Sequence, residues 1–556
     1  MNYNSKPWLR NYDPWVLTEI ENSDLTFRDC ADYTLKHFPN RPAFRFFELT
    51  WTYQELMDKA DRFAHALSEY GLKKGDVLAV NLVNSPQYLI AIAGALKAGI
   101  IVSGLPPLLT KDEMAYQLSD LGAKAIITLD YLFQDRIASI APQIGSLNLV
   151  IVTALPDFLE GKSRFEAGPV PNTEVKWLKD LLSEYSPEVP QVKSDPEDTA
   201  FIQYTGGTTG SPKGAMLSHR NMVSIVTELE TWIDLKKGED VILCPFPMYH
   251  VGGLVHTVQS LIMGFTQILV PDPRDFNYII KQMDTYRPHL LGMVPTLAML
   301  LSENPEFKKV DVSNIKFVTV GAAPVPQGKA REIEEAFGRN KMGEVYGLTE
   351  TFSLLTANPK GGTKKIGSIG IPLPSTRMKI VDLETGEKEV PIGQEGEIIA
   401  IGPQIMKGYY NKPSETAHAL REHDGEVWLH TGDIARMDED GYFYIVDRAK
   451  DMIIVGGYKV FSNDVEQKLS EHPAIDLCAV VGFKNQDRPG SELVKLVVKK
   501  SSLYENKPDD LVRNEIMAFA RSKLAPYKVP KVIEFVKSMP LTSVGKVDKK
   551  VLRVNR

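Results

Sequence analysis

Apolar residues recur at helical spacing through YQELMDKADRFAHALSEYGL (53–72) and merge into the unbroken apolar run DVLAVNLV (76–83). They return at helical spacing in PQYLIAIAGALKAG (86–99), ahead of the short run IIVSGL (100–105). Amphipathic helices alternating with buried strands predict layered α/β architecture. Asn84, Ser85 and Pro86 give a helix start and Gly99 a stop. The alternation returns over 217–325: helix LSHRNMVSIVTELETWI, strand VILCPFP, then strand NIKFVTVG running into GAAPVP. Small residues and prolines there end a strand where a ligand can sit, as open α/β sheets favour. From about 355 to 447 the helical spacing fades into RMKIVD, GEIIAIG and GYFYIVD, separated by the turn signals ETGE and EDG, which predicts a β-rich subdomain. Beyond the charged junction DRAKD (447–451), helix SNDVEQKLSEH and strands LCAVVGF and ELVKLVVKK predict a second unit. The expected division is therefore 1–449 and 450–556.

The length of 556 residues exceeds one compact core and suggests about two to four units. Apolar residues at 43% and charged residues at 24% exclude disorder, collagen and a disulfide scaffold. Cys30, Cys244 and Cys478 lie far apart without C-x-x-C spacing, so neither zinc nor disulfides are expected and a reducing compartment fits. The opening MNYNSKPWLRNYDPW lacks a secretory pattern, which makes the cytoplasm the expected location. Two apolar stretches fail as membrane spans: 251–270 is broken by His256, Gln259 and Gln267, and 88–102 is short and carries Lys97. Trp8, Tyr12 and Trp15 suit packing onto the domain better than peripheral contact with a membrane, although that contact stays open. Residues 499–556 hold fourteen basic and six acidic side chains, a basic end on a chain of net charge −7. No aromatic-basic motif accompanies it, so nucleic acid is not an expected partner.

The richest chemistry lies in YTGGTTGSPKG (204–214). Gly206, Gly207 and Gly210 let amide N–H groups turn toward an anion, Thr205, Thr208 and Thr209 add hydroxyls, and Lys213 adds a cation after Pro212. The apolar TAFIQ before it reads as a strand, so the segment suits a triphosphate cradle. A Walker A loop would place Ser or Thr after the lysine, and Gly214 stands there instead. Taken alone, the segment has a Gly/Thr-rich hairpin tip with a solvated lysine as its lesser alternative. EVYGLTE (344–350) offers a ring to stack on a base, a hydroxyl and carboxylates. WLHTGD (428–433) offers a carboxylate after a Thr-Gly turn, suited to a ribose diol. PLTSVGKVDKKVL places Lys546 in a turn near the end of the chain.

The ordered set YTGGTTGSPKG, PMYHVGG, GAAPVP, YGLTE, LHTGD, DRAKDMIIVGGYKV and PLTSVGKVDKK closely resembles the acyl-adenylate-forming superfamily over nearly the whole chain. Its layout is similar to fatty acyl-CoA synthetases and to aryl and alicyclic acid-CoA ligases. The resemblance implies a large N-terminal domain of two sheet-based α/β lobes plus a distorted β-barrel, followed by a small mobile α+β domain hinged near Lys450. It implies that Thr205, Gly206, Gly207, Thr208, Thr209, Gly210 and Lys213 hold the ATP phosphates. Thr205 and Glu350 would hold Mg²⁺. Tyr346 would stack on adenine opposite Ala322, Ala323 and Pro324, with Glu344 and Gly347 beside it and Thr349 on the α-phosphate. Asp433 and Arg448 would grip the ribose, and Lys546 would neutralise charge building on the carboxylate and α-phosphate. His250, Val251, Gly252, Gly253, Gly321, Gly347 and Leu348 would line the acyl pocket. Lys450 would be the pivot, and Gly456, Gly457 and Tyr458 would flank the tunnel for coenzyme A. Read alone, His250 has a core histidine as its lesser alternative.

The activity implied by this resemblance is that of an ATP-dependent acyl-CoA synthetase, which forms acyl-AMP and pyrophosphate, then acyl-CoA and AMP. A medium- or long-chain fatty acid is the leading substrate, and an aromatic or alicyclic acid the alternative. A luciferase-like oxidoreductase, a ligase loading a carrier protein and a noncatalytic nucleotide sensor are the rival classes. The sensor would be expected to lose Lys546, Glu350 or Asp433, and all are present. Two departures stand out: Tyr458 replaces the Glu of many relatives, and Leu254 stands where some long-chain enzymes carry an aromatic gate. A homodimer stays open.

Overall fold

The computed structural model describes residues 2–21, 23–159, 168–205, 212–325, 327–448, 451–455, 458–484, 491–542 and 547–554. Two large sheets carry most of the chain. The first runs in the order Gly408–Tyr409, Lys213–Ser218, Thr199–Thr205, Ile101–Gly104, Val77–Asn81, Ala125–Leu129, Leu149–Thr153, Glu174–Trp177. The second runs Ile371–Pro372, Thr356–Ala357, Met342–Tyr346, Phe317–Val320, Leu290–Met293, Val241–Leu243, Thr266–Ile268, Pro42–Phe46, Leu49–Thr52. Their central strands pair in parallel, which requires crossover helices and buries both faces.

Helices Tyr53–Glu69, Pro86–Lys97, His219–Ile233 and Val251–Met263 share one apolar core with residues of both sheets, so they form the layer between them. Thr52 fixes the start of the first: its hydroxyl accepts the Glu55 amide while the Glu55 carboxylate accepts the Thr52 amide. A Cβ on Gly94 would stand 2.6 Å from the Ala60 carbonyl, so the first two helices touch backbone to backbone. The outer faces bury separate cores. One lies under helices Phe276–Tyr286, Pro295–Glu303 and Gln327–Phe337, the other under Lys111–Leu121.

A third sheet pairs Arg377–Val381, Gly396–Ile401, Glu426–Met437 and Leu420–His423 in that order, with Phe443–Arg448 against Glu426–Met437. This is the predicted β-rich region. Beyond it Ile475–Lys484, Glu492–Lys500 and Val532–Val536 form a small sheet with antiparallel and parallel pairings, its two faces covered by helices Ser462–Leu469 and Asp509–Lys523 on one side and Lys549–Val554 on the other.

Trp8 is buried and Tyr12 donates its hydroxyl to the Pro372 carbonyl at 2.7 Å while its ring meets Trp232 edge-on, so the N-terminal aromatics pack onto the domain. Trp15 is the exposed member. The three cysteines are free and buried, and among the described residues no helix is long and apolar enough to cross a membrane.

Candidate active site

Residues predicted from three distant motifs meet where the three sheets converge. From the first sheet, the hairpin Thr199–Thr205 and Lys213–Ser218 pairs Thr205 with Lys213 at the end next to the connection between the two strands. From the second, the segments beginning at Gly321 and Gly347 leave the carboxyl ends of the adjacent parallel strands Phe317–Val320 and Met342–Tyr346. From the third, Asp433 and Arg448 face each other across neighbouring strands.

The turn Thr349–Thr351 packs on both strands of the hairpin, and the Tyr409 ring links Glu350 to Lys213. Gly347 makes this approach: a Cβ there would lie 1.9 Å from the Ser353 carbonyl and 2.5 Å from Leu354 Cα. The chain then turns back through Phe352 at φ 45° and Ser353 at φ 93°, a conformation costing roughly 1 kcal/mol or more per residue. Tyr409 donates its hydroxyl to Glu350 Oε1 at 2.6 Å, and the Met406 amide donates to the Glu350 carbonyl at 2.8 Å. Burial first, and Glu350 second, push the Tyr409 phenol well up. Lys213 pairs with Glu415 and lies 5.1 Å from the Tyr409 ring centre, so its cation is held at the hairpin mouth. Among the described residues Glu350 has no Lys or Arg at ion-pair distance. With Thr205 it offers an all-oxygen donor set that suits a hard divalent cation such as Mg²⁺.

Tyr346 donates its hydroxyl to Asp433 Oδ2 at 2.7 Å, and Arg448 Nε stands 3.2 Å from Asp433 Oδ1. Asp433 is thus gripped from both sides, with its own amide donating to Thr431 Oγ1 at 3.1 Å. Burial, reinforced by Asp433, pushes the Tyr346 phenol far up and keeps it a hydrogen-bond donor. Asp433 in turn raises Arg448.

Glu344 behaves differently from its neighbours. Its buried carboxyl accepts the amides of Gly367 at 3.0 Å and Val325 at 3.5 Å, and desolvation pushes it up to about 7 against those bonds. It therefore braces the segment 322–325, where Ala322 sits at φ 72° and Ala322, Ala323 and Pro324 are exposed.

His250 caps helix Val251–Met263, its Nδ1 accepting the Gly252 amide at 3.1 Å, and its ring stacks on Phe246. The loop before it hangs on Asn84, which donates to the Phe246 carbonyl at 2.9 Å and accepts the Met248 amide at 2.8 Å. Gly253 is indispensable there, since a Cβ would lie 2.3 Å from the Pro247 carbonyl, whereas a Cβ on Gly252 would press on His250 Nδ1 at 3.2 Å and touch no backbone. This loop leaves the same edge of the parallel sheet as Gly321 and Tyr346. Gly321 approaches Val345 and Leu348 is half-buried. Tyr458 is 61% exposed and stacks on Tyr527. Gly206, Gly207, Thr208, Thr209, Gly210, Lys450, Gly456, Gly457 and Lys546 lie outside the described residues.

Several residues of the site carry no motif signal of their own. Glu415 and Tyr409 belong to none of the seven motifs. Glu397 and His430 sit inside GEIIAIG and WLHTGD, where a carboxylate and an imidazole in strands of one small sheet are the only sign of them.

The model of the AMP-binding enzyme family matches residues 31–410, and that of the AMP-binding enzyme C-terminal domain matches 464–546. The long-chain-fatty-acid–CoA ligase of Bacillus subtilis is 38% identical over 98% of this chain and 96% of its own length. The enzyme of the same name from Escherichia coli O6:H1 is 35% identical over 99% and 98%. ATP-bound MatB from Rhodopseudomonas palustris superposes with a TM-score of 0.83 at 29% identity, covering 95% of this chain and 98% of that one. The chain belongs to the AMP-binding enzyme family, the acyl-adenylate-forming ligases that its motif order resembles.

Proposed function

We propose that this ligase activates a medium- or long-chain fatty acid as its coenzyme A thioester. The observation that carries the nucleotide half is the Tyr346–Asp433–Arg448 alignment, with Glu350 acting electrostatically on Arg448. The chain-length class rests on the names of the two bacterial relatives.

In the first step a carboxylate oxygen attacks the α-phosphorus of ATP, and the bond to pyrophosphate breaks. Asp433 accepts the ribose hydroxyls, while Tyr346 packs on adenine against the braced segment 322–324. Lys213 and the hairpin loop receive the phosphates, and Thr349 bonds the α-phosphate. Thr205 and Glu350 would hold Mg²⁺, which offsets charge on the phosphates when bound. Lys546 neutralises charge shared between carboxylate and α-phosphate in the transition state. In the second step the coenzyme A thiol gives its proton to solvent as its sulfur forms a bond to the acyl carbonyl carbon, and the carbon–oxygen bond to AMP breaks with its electron pair leaving on phosphate. A lysine filling the site would obstruct the thiol, so the unit beyond about residue 450 must rotate, with Lys450 as pivot and Gly456 and Gly457 giving passage. His250, with Val251, Gly252, Gly253, Gly321, Gly347 and Leu348, borders the acyl chain.

The test is a separation of half-reactions. Lys546→Ala should cripple acyl-AMP formation and spare conversion of supplied acyl-AMP, and Gly457→Trp should do the reverse. Equal loss of both half-reactions in each variant would sink the two-stage assignment.

A further inference from the structure

Three side chains stand in line behind the turn made by Thr431, Gly432 and Asp433. Glu397, on strand Gly396–Ile401, accepts the Gly432 amide through Oε1 at 2.9 Å and faces His430 Nδ1 through Oε2 at 3.0 Å. The other nitrogen of His430, Nε2, meets Nε2 of His423 at 2.8 Å, with the two rings stacked. His430 is buried at 8% exposure, and the turn at Gly386 seals it, since a Cβ there would lie 3.1 Å from His430 Cε1. His423 is half-buried at the end of strand Leu420–His423. The charged groups around the pair are Glu397, Arg421 on the same strand as His423, Lys379 on strand Arg377–Val381, and Asp424 in the following turn.

The proton positions follow from the donor inventory. Burial raises Glu397, but the bonds from His430 and the Gly432 amide outweigh it and hold the carboxyl below its usual range. An ionised carboxylate only accepts, so His430 Nδ1 carries the hydrogen. Neutral His430 then presents a bare Nε2, and two Nε2 atoms 2.8 Å apart need one proton between them, which His423 supplies. One further proton can settle on His423 Nδ1, or reach His430 by transfer across the pair, without breaking a contact. A second would set two N–H groups against each other. Burial, His430, Lys379 and Arg421 all hold His423 below the usual imidazole range, with Asp424 opposing.

We infer that Glu397, His430 and His423 form a proton-sharing relay that positions the Gly432–Asp433 turn for the nucleotide, His423 fixing the tautomer of His430 and His430 fixing the Glu397 carboxylate. All three are positioning residues, and the inference rests on Asp433 as the ribose ligand. Motif chemistry reaches Asp433 alone, because the carboxylate that orders its turn comes from a strand 36 residues away in the chain. His423 and His430 lie on the two strands of one hairpin, Leu420–His423 against Glu426–Met437.

The experiment is nitrogen NMR of the full chain labelled with ¹⁵N-histidine, its signals assigned with His423→Gln and His430→Gln, run beside ATP–pyrophosphate exchange. The relay predicts the Nδ1–H tautomer for His430 at pH 8 and uptake of one proton, not two, by the pair between pH 8 and 5. In Glu397→Gln the new carbonyl keeps the Gly432 amide while the new amide donates to Nδ1, so His430 must switch to the Nε2–H tautomer. Glu397→Ala should raise the KM for ATP roughly fivefold with the KM for the acid unchanged, and Glu397→Gln should restore most of it. An Nε2–H tautomer in the native chain, two independent proton uptakes, or an unchanged KM for ATP in Glu397→Ala while Asp433→Ala raises it would each overturn the relay. Undiminished ATP affinity in Asp433→Ala would overturn the ribose assignment and the relay's purpose together.

Discussion

Replacing Glu344 with glutamine should remove a pH dependence of stability that this one carboxyl imposes. The group is buried, and desolvation lifts it from 4.5 to about 7 even though two amides donate to it. For an acid raised in this way the folded chain keeps a proton that the unfolded chain releases. Its contribution to stability is therefore full below about 4.5 and lost as pH rises through about 7. At about 1.4 kcal/mol per pH unit across the part of that window between pH 5 and 8, the folded chain loses about 2.5 kcal/mol from Glu344. Glutamine cannot ionise, so Glu344→Gln should lack this slope. The assay is urea unfolding followed by tryptophan fluorescence at pH 5 and pH 8 for both proteins. Other titrating groups are common to both and cancel in the difference. The variant should therefore gain about 2.5 kcal/mol on the native chain between the two pH values. A difference that stays constant within about 0.5 kcal/mol would refute the burial argument and the bracing role for segment 322–325 drawn from it.

Further perturbations bear on other parts of the site. Gly347→Ala drives a methyl into the Ser353 carbonyl and should cost about 1–3 kcal/mol, abolishing adenylation by displacing Glu350; native exchange rates would contradict the packing. Asp447, buried at the end of the third sheet, accepts the amide and hydroxyl of Ser462, while Lys549 lies 2.8 Å from both Ser462 Oγ and Glu466. Lys549→Met leaves two carboxyls without their cation and should lower stability by roughly 3 kcal/mol, read by thermal melting, whereas an unshifted melt would contradict the network. Lys213→Met should free Glu415 and raise the KM for ATP while leaving the KM for the acid alone. Equal change in both would argue against a phosphate role for Lys213.

Much of the architecture is written in local periodicity. The helices at Tyr53–Glu69 and Pro86–Lys97 and the strands between them fall within a few residues of where apolar spacing and the Thr52, Ser85 and Gly99 signals put them. Helix His219–Ile233 starts two residues later than its apolar run, because Leu217 and Ser218 still belong to the hairpin strand and Ser218 caps the helix. Strand Val241–Leu243 is shorter than VILCPFP suggests, since Pro245 and Pro247 cannot donate to a ladder. What periodicity cannot carry is partnership between distant segments. Nothing local places Pro42–Phe46 beside Thr266–Ile268 in one sheet while Val77–Asn81 and Ile101–Gly104 join another. The same limit governs the site. Motif chemistry points to Tyr346, Asp433 and Arg448 one by one, but the Tyr346–Asp433 bond and the Lys213–Glu415 pair depend on separate elements meeting, and the Glu397–His430–His423 line depends on strand pairing within the third sheet. Glu344 stands two residues from Tyr346 and so shares its motif with a residue proposed to meet the nucleotide, yet its carboxyl turns to backbone amides instead.

The central claim is acyl activation through an adenylate, and carboxylate-dependent exchange of labelled pyrophosphate into ATP tests it most directly. The exchange is run with fatty acids of graded length beside aromatic and alicyclic acids, and coenzyme A-dependent AMP release is measured in parallel. Exchange with medium- or long-chain fatty acids, accompanied by AMP release that requires coenzyme A, is the predicted result. Absence of exchange with every acid, or exchange without coenzyme A-dependent turnover, would contradict it.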